Sequence, residues 1–347
     1  MYIRKILITV VLLGLVAAGA FAYFVYNALF TPNTSFNNDE AYVYIPSDAG
    51  FSELRELVTP LIEDMDTFDA VARRKKYDQN VKGGKYAIRK GMNNNDIINA
   101  LRSGNIPVKV SFNNQERLPD LAGRISEQIE ADSISLLRTM SSTEFLESND
   151  FDENSAISLY IPNSYEFFWN TNAEEFRARM LKEYNRFWND ERREKASALG
   201  LDIKKVSALA SIVQKETAKV DERPRVAGLY LNRIKSNMRL QADPTVIFAI
   251  KHHTGNYDTI IKRVLYRDLE LDSPYNTYKY PGIPPGPITM PDISSIDAVL
   301  NAENHNYYYM VANVSNFGYH KFAQTIQQHN RNKSQYIRWI NAQNINR

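Results

Sequence analysis

Glu216 is the residue whose setting first suggests chemistry. It falls in the helical segment from about Ile203 to Lys219, whose stretch Val206–Val213 (VSALASIV) carries no charge. On a wheel with Leu209 at zero, Val213 falls at about +40°, Val220 at about +20° and Ile212 at about −60°. Glu216 falls at about −20°, in the middle of this apolar stripe. A carboxyl held among Leu, Val and Ile loses solvation in its charged form, so its pKa rises. An acid that keeps its proton near neutral pH meets the requirement for protonating a glycosidic oxygen. A buried structural glutamate paired with an arginine is the other reading of the same pattern. Glu222, about 140° from the stripe centre, reads as an ordinary solvated glutamate.

Other residues offer less. Asp243-Pro244-Thr245 has the form of a helix N-cap followed by proline at the first helical position. His252 and His253 would point about 100° apart on a helix, which prevents them from sharing a metal. His305, His320 and His329 have no metal-ligand spacing, and HExxH, G-x-S-x-G and glycine-rich phosphate loops are all absent. Tyr275, Tyr278 and Tyr280 stand beside a proline-rich stretch, where aromatic rings either stack on sugars or pack the loop. Arg73-Arg74-Lys75-Lys76 reads as a solvated helix face, with anionic lipid or polymer as an alternative contact.

The elements that must position these residues belong to a chain of 347 residues, a length that suggests two domains with an appendage. Lys and Arg number 42 against 40 Asp and Glu, giving no electrostatic reason to expect nucleic-acid binding. Cysteine is absent, which excludes disulfides, cysteine-ligated metals and cysteine nucleophiles. From Ile6 to Phe30 no charged residue appears. That run exceeds the roughly 20 residues needed to span a bilayer. Arg4 and Lys5 precede it, which places the N-terminus in the cytoplasm and the remainder outside. A signal peptide cleaved near Ala18-Gly19-Ala20 is the alternative, although the apolar run continues well past Ala20.

The sequence predicts an α+β fold: a transmembrane helix, a small α+β module and a larger, mainly helical domain with a short β-hairpin. The divisions fall at 1–5 (cytoplasmic), 6–30 (membrane), 31–40 (polar tether), 41–105 (module) and 106–347 (catalytic domain). Helices are expected at Leu118–Glu130, Ala173–Leu199, Pro224–Lys235, Pro244–Lys251 and Thr325–Ile340. Leu159–Trp169, interrupted by Pro162, reads as an ordered loop. Ser273–Pro291 is too rich in proline for a helix. Tyr307–Ala312 and Tyr319–Phe322 read as a hairpin about Asn316-Phe317-Gly318.

Several ordered segments resemble the YceG-like, MltG-type endolytic murein transglycosylases. They are Ser211–Thr217 (SIVQKET), Leu231–Arg233 (LNR), Met238–Thr245 (MRLQADPT), Tyr275–Tyr278 (YNTY), Gly282–Ile288 (GIPPGPI) and Phe322 with Gln328-His329-Asn330. Gly84–Gly91 with Leu101–Gly104 is similar to a LysM-like module. The resemblance implies a lytic transglycosylase that cuts peptidoglycan between N-acetylmuramic acid and N-acetylglucosamine, with no cofactor. The matching position for the family's catalytic glutamate is Glu216, acting first as acid and then as base on the muramyl C6 hydroxyl. Asn232, Gln241, Asp243, Thr245, Tyr275, Asn276 and Tyr278 would line or support the cleft. The implied partners are glycan strands and peptidoglycan synthases of the same inner, cytoplasmic membrane. Two departures stand out: Ile157–Tyr165 lacks the family's carboxylates, and Gln214 replaces a common glutamate. A silent peptidoglycan-binding scaffold and a water-using muramidase are the rival readings.

Overall fold

The computed structural model describes residues 2–342. It divides into two compact units, the first comprising residues up to Val110 with Ser126–Ala131 and Tyr165–Asn172. The second holds Ser111–Ile125, Asp132–Ser164 and the chain from Ala173 onward. The architecture is α+β and mostly helical, as the sequence predicts.

In the first unit, α1 (Tyr2–Phe30) is followed by β1 (Glu40–Ile45), α2 (Phe51–Val58), α3 (Met65–Arg74), β2 (Gly84–Arg89) and α4 (Asn94–Ser103). β1 and β2 pair antiparallel, with Tyr42 opposite Ala87 and Tyr44 opposite Lys85. Strand alternation turns Val43, Ile45, Tyr86 and Ile88 inward, where they meet Leu54, Phe68, Val71, Ile98 and Leu101. Each such side chain contributes about 1.5–3 kcal/mol when fully buried. Asp64 caps α3 and Asn93 caps α4 through side-chain oxygens.

α1 is long and apolar enough to cross a membrane, and the side chains along its spanning window lie exposed. Its C-terminal end joins the core of the first unit. Ala28 is buried, and its carbonyl accepts from Asn94 Nδ2 at 2.9 Å. The segment expected to be a tether is bonded along its length. Asn33 donates to Asn94 Oδ1 (2.7 Å) and to the Asp64 carbonyl (2.8 Å), and its Oδ1 accepts from the Asp64 amide (2.7 Å). The Ser35 amide bonds the Leu61 carbonyl. A polar stretch reads as a linker unless its amide side chains find buried partners, and here Asn33 does.

β3 (Pro107–Phe112) and β4 (Asn163–Phe168) form a two-stranded sheet. β4 replaces the loop expected at Leu159–Trp169; Pro162 sits just before the strand rather than inside it. The second unit then contains α5 (Leu118–Ser126), α6 (Ser133–Met140), α7 (Thr143–Ser148), α8 (Ala173–Phe187) and α9 (Asp190–Ala198). The single charged helix expected over Ala173–Leu199 is thus two. Trp188 is buried at the break, and Asn189 caps α9 by accepting from the Arg192 amide. α10 (Ile203–Glu216), α11 (Arg223–Lys235), α12 (Asp243–Thr254) and α13 (Ile293–Leu300) follow. β5 (Tyr309–Ala312), β6 (His320–Ala323) and α14 (Ile326–Ala342) complete the described chain.

α10 is the central helix of this unit. Every residue from Val206 to Val213 is buried, the expected state of a helix apolar all round. The proline-rich loop packs against it: the Ile288 amide donates to Ser211 Oγ at 3.0 Å, and Met290 bonds Gln115. Gly286 is required there, because a Cβ would stand 2.0 Å from the Asn154 carbonyl oxygen. Gln214 uses both ends of its amide on this loop, accepting from the Asp292 amide (2.6 Å) and donating to the Met290 carbonyl (3.4 Å).

Candidate active site

α10 stops at Glu216 because Thr217 is extended (φ −140°, ψ 131°). The helix ends three residues before the expected Lys219, and Val220, which the wheel put in the stripe, lies outside it, 55% exposed. Leu209, Ile212 and Val213 nevertheless form the buried stripe beneath Glu216. The Glu216 carboxyl is half-buried at the helix end, with one edge opening onto a cavity of about 360 Å³. Its Oε1 accepts a 2.8 Å hydrogen bond from the hydroxyl of Tyr230, a buried residue on α11.

Loss of solvation pushes the Glu216 pKa up to about 7. The Tyr230 bond and the positive charges of His320 and Arg233 oppose that rise, whereas the charge of Asp243 adds to it. Tyr230 is itself held far above the ordinary phenol value, by burial first and then by Glu216, so it remains a donor. Glu216 is therefore a carboxyl about equally able to give and to take a proton near neutrality.

Glu222 is not the solvated residue the wheel predicts. It is 4% exposed, and its two oxygens accept from the His320 amide (2.6 Å) and meet His320 Nδ1 (2.9 Å). Burial pushes Glu222 upward, but the bonds and charge of His320 outweigh it and hold the carboxyl below its usual range. Burial likewise works against a charged imidazole, and the Glu222 carboxylate outweighs it, raising His320. His320 lines the same cavity as Glu216, so the Glu222 carboxylate favours a charged imidazole beside Glu216.

Asp243 is exposed and is not a cap: Ala242 is the N-cap and makes no side-chain bond. Asp243 Oδ1 instead accepts from the Tyr278 hydroxyl at 2.5 Å. Tyr278 and Asp243 both lie close enough to Glu216 to couple to it electrostatically.

The remaining candidates each have hydrogen-bond partners within the protein. Asn232 donates to the carbonyls of His305 (2.7 Å) and Tyr307 (3.1 Å), tying α11 to the chain entering β5. Thr245 is fully buried, bonding the Ala242 carbonyl and meeting the Thr277 hydroxyl at 2.8 Å. Asn276, also fully buried, donates to Leu269 and Leu271 and accepts from the Tyr278 amide. It thereby positions Tyr278 through the backbone. Gln241 is exposed with φ +49°, and its amide donates to the Thr277 carbonyl. Tyr275 donates to Asn154 Oδ1 (3.1 Å) and lines a separate cavity with Glu116, Arg117 and His252.

Tyr230, Glu222 and His320 are the site residues that sequence reasoning missed. Tyr230 carried a usable signal: a hydroxyl amid the buried run Val226–Leu231 of α11 needs a partner. His320 and Glu222 carried none, since they are far apart in sequence.

The sequence pattern of the YceG-like family matches residues 43–335. A protein of Bacillus subtilis (strain 168) named endolytic murein transglycosylase is 29% identical over 342 residues, spanning 93% of this chain and 91% of its own. A protein of the same name from Streptococcus pneumoniae serotype 2 (strain D39) is 31% identical over 137 residues, 40% of this chain and 24% of its own. The crystal structure of a YceG-like protein from Listeria monocytogenes superposes with a TM-score of 0.55 at 27% identity, covering 85% of this chain and 99% of that one. The family match runs from β1 into α14 and takes in Glu216 with every residue that couples to it, so the chain belongs to the YceG-like family.

Proposed function

We propose that this chain is an endolytic lytic transglycosylase of peptidoglycan with Glu216 as its acid and base. The observation that carries the reading is a desolvated carboxyl whose pKa is pushed up to about 7, open to a cavity and steadied by one phenol. Protonated Glu216 gives its proton to the glycosidic oxygen as the bond from muramyl C1 breaks. The resulting carboxylate then takes the proton from the muramyl C6 hydroxyl, whose oxygen closes onto C1. The product is a 1,6-anhydro end, no water is consumed, and Glu216 is protonated again. One carboxyl serves both steps because the nucleophile belongs to the substrate, unlike the usual two-carboxylate hydrolase. Tyr230 holds Oε1 and leaves the other oxygen for the substrate. The His320 charge, fixed by Glu222, favours the carboxylate that forms midway.

Asp243 is the observation that favours a second reading. A second carboxylate coupled to Glu216 could activate water, making the enzyme a muramidase with reducing-end products. Its bond from Tyr278 gives Asp243 another role, supporting Glu216 in its protonated form.

α1 anchors the chain as a single-pass membrane protein, with the N-terminus cytoplasmic and the catalytic unit on the peptidoglycan side. Residues 41–105 act as a LysM-like module; the strand–helix–helix–strand order with antiparallel β1 and β2 supports this. Glu216→Gln tests the proposal. Cleavage of purified glycan strands should fall roughly a thousandfold while the circular dichroism spectrum is unchanged. A folded variant that still cleaves would overturn it.

A further inference from the structure

The cavity beside Glu216 has a second wall that the chemistry above does not use. Phe317, Tyr336 and Trp339 line it, together with Asn313 and His320. Tyr336 and Trp339 stand three residues apart on α14, so they share one helix face. That helix is seated by buried Ile340, by His329 stacked on Tyr309 at 5.4 Å, and by a 3.0 Å bond from Lys321 to Gln335. Phe317 sits in the β5–β6 turn, 66% exposed, with its ring 5.4 Å from that of Trp339. Gly318 at φ +84° makes the turn, a conformation that disfavours a side chain. The turn and the seated helix thus hold an aromatic pair, exposed at Phe317 and half-buried at Trp339, at the cavity beside Glu216.

Such a surface suits a pyranose. A sugar ring presents apolar C–H faces to aromatic rings and polar groups at its rim, and Asn313, His320 and Glu216 stand at the rim here. About 360 Å³ lies near the small end of ligand pockets, room for one ring rather than several.

We propose that Phe317, Tyr336 and Trp339 form a saccharide-stacking subsite that holds the sugar ring next to the bond cut at Glu216. The subsite rests on the glycan-cleaving reading above, and its occupant is one ring of the glycan strand.

The test uses the full chain in detergent micelles with peptide-free glycan strands of alternating N-acetylglucosamine and N-acetylmuramic acid. Trp339→Ala should raise KM about tenfold and leave kcat within about twofold, the pattern of lost ground-state binding. Phe317→Ala, at an exposed turn where folding is not at risk, should raise KM a few-fold, and Trp339→Phe, which keeps an aromatic face at that position, should leave KM near the wild-type value. In a Glu216→Gln background, adding strands should change tryptophan emission, and Trp339→Phe should abolish that change. Unaltered KM in both alanine variants, with an emission change indifferent to Trp339, would overturn the subsite while leaving the catalytic proposal standing. An emission change that follows protein concentration instead of glycan would mean that a second copy covers the wall, and would overturn it too. Cleavage by Glu216→Gln is a separate result that would remove the underlying reading.

Discussion

The end of α10 and the turn leading into α11 each draw a glutamate into the protein, and they treat it oppositely. Glu216 meets a phenol and an apolar stripe, and its carboxyl is raised to about 7. Glu222, six residues on, is more deeply buried, yet it meets a backbone amide and an imidazole and is lowered. Desolvation prevails at Glu216, whereas at Glu222 an amide and an imidazole outweigh it, so burial and partners together decide protonation. A neutral donor leaves the carboxyl free to exchange a proton, whereas a cation with an amide fixes it as an anion. The first arrangement suits a reacting group, and the second suits a group that positions a charge next to it.

The sharpest way to break this contrast is to remove each member and read stability as well as turnover. Glu216→Gln, besides losing cleavage, should become the more stable protein at alkaline pH. The folded pKa of Glu216 lies above its unfolded value, so wild-type stability declines as pH climbs from about 4.3 to about 7. At pH 8 the variant should gain about 1–3 kcal/mol, less than the full shift because solvent reaches one edge of the carboxyl. Urea melts at pH 5 and pH 8 would show it, and an equal difference at both would contradict the environment assigned to Glu216.

His320→Ala should do the reverse. It leaves Glu222 buried with its charge uncompensated, at a cost of about 1–3 kcal/mol at pH 7. Because the Glu222 pKa is depressed, this contribution is present above its unfolded value and fades as pH falls through the folded one. A variant as stable as wild type at pH 7 would mean that the dyad does not matter to the fold.

Two smaller effects sharpen the Glu216 side. Cleavage should decline as pH rises through about 7, where Glu216 loses its proton. Tyr230→Phe removes a bond that favours the carboxylate, so the decline should move to higher pH with a few-fold change in kcat at pH 6. Asp243→Asn removes a negative charge that favours the protonated form, so the decline should move slightly to lower pH. Shifts of the opposite sign in pH–rate profiles would refute the coupling.

How far the sequence revealed all this depended on distance along the chain. Glu216 could be read because its apolar neighbours Leu209, Ile212 and Val213 are within two helical turns. Glu222 could not, because the imidazole that binds it is 98 residues away. β4 hid for the same reason: its partner β3 lies more than fifty residues upstream, and aromatic side chains around Pro162 resemble a loop until that partner is known. Asp243-Pro244 imitated a capping pair because local spacing cannot distinguish the cap from the first helical residue. Asn232, Thr245 and Asn276 entered through motif likeness, which identifies positions without separating those that touch substrate from those that hold the loop.

The measurement that tests the central claim most directly is mass spectrometry of purified glycan strands after incubation with the full chain. The account predicts fragments one water lighter than hydrolysed ones, ending in 1,6-anhydro rings, and none from Glu216→Gln. Fragments with reducing ends would contradict it and would make Asp243 the first place to look for a water-activating base.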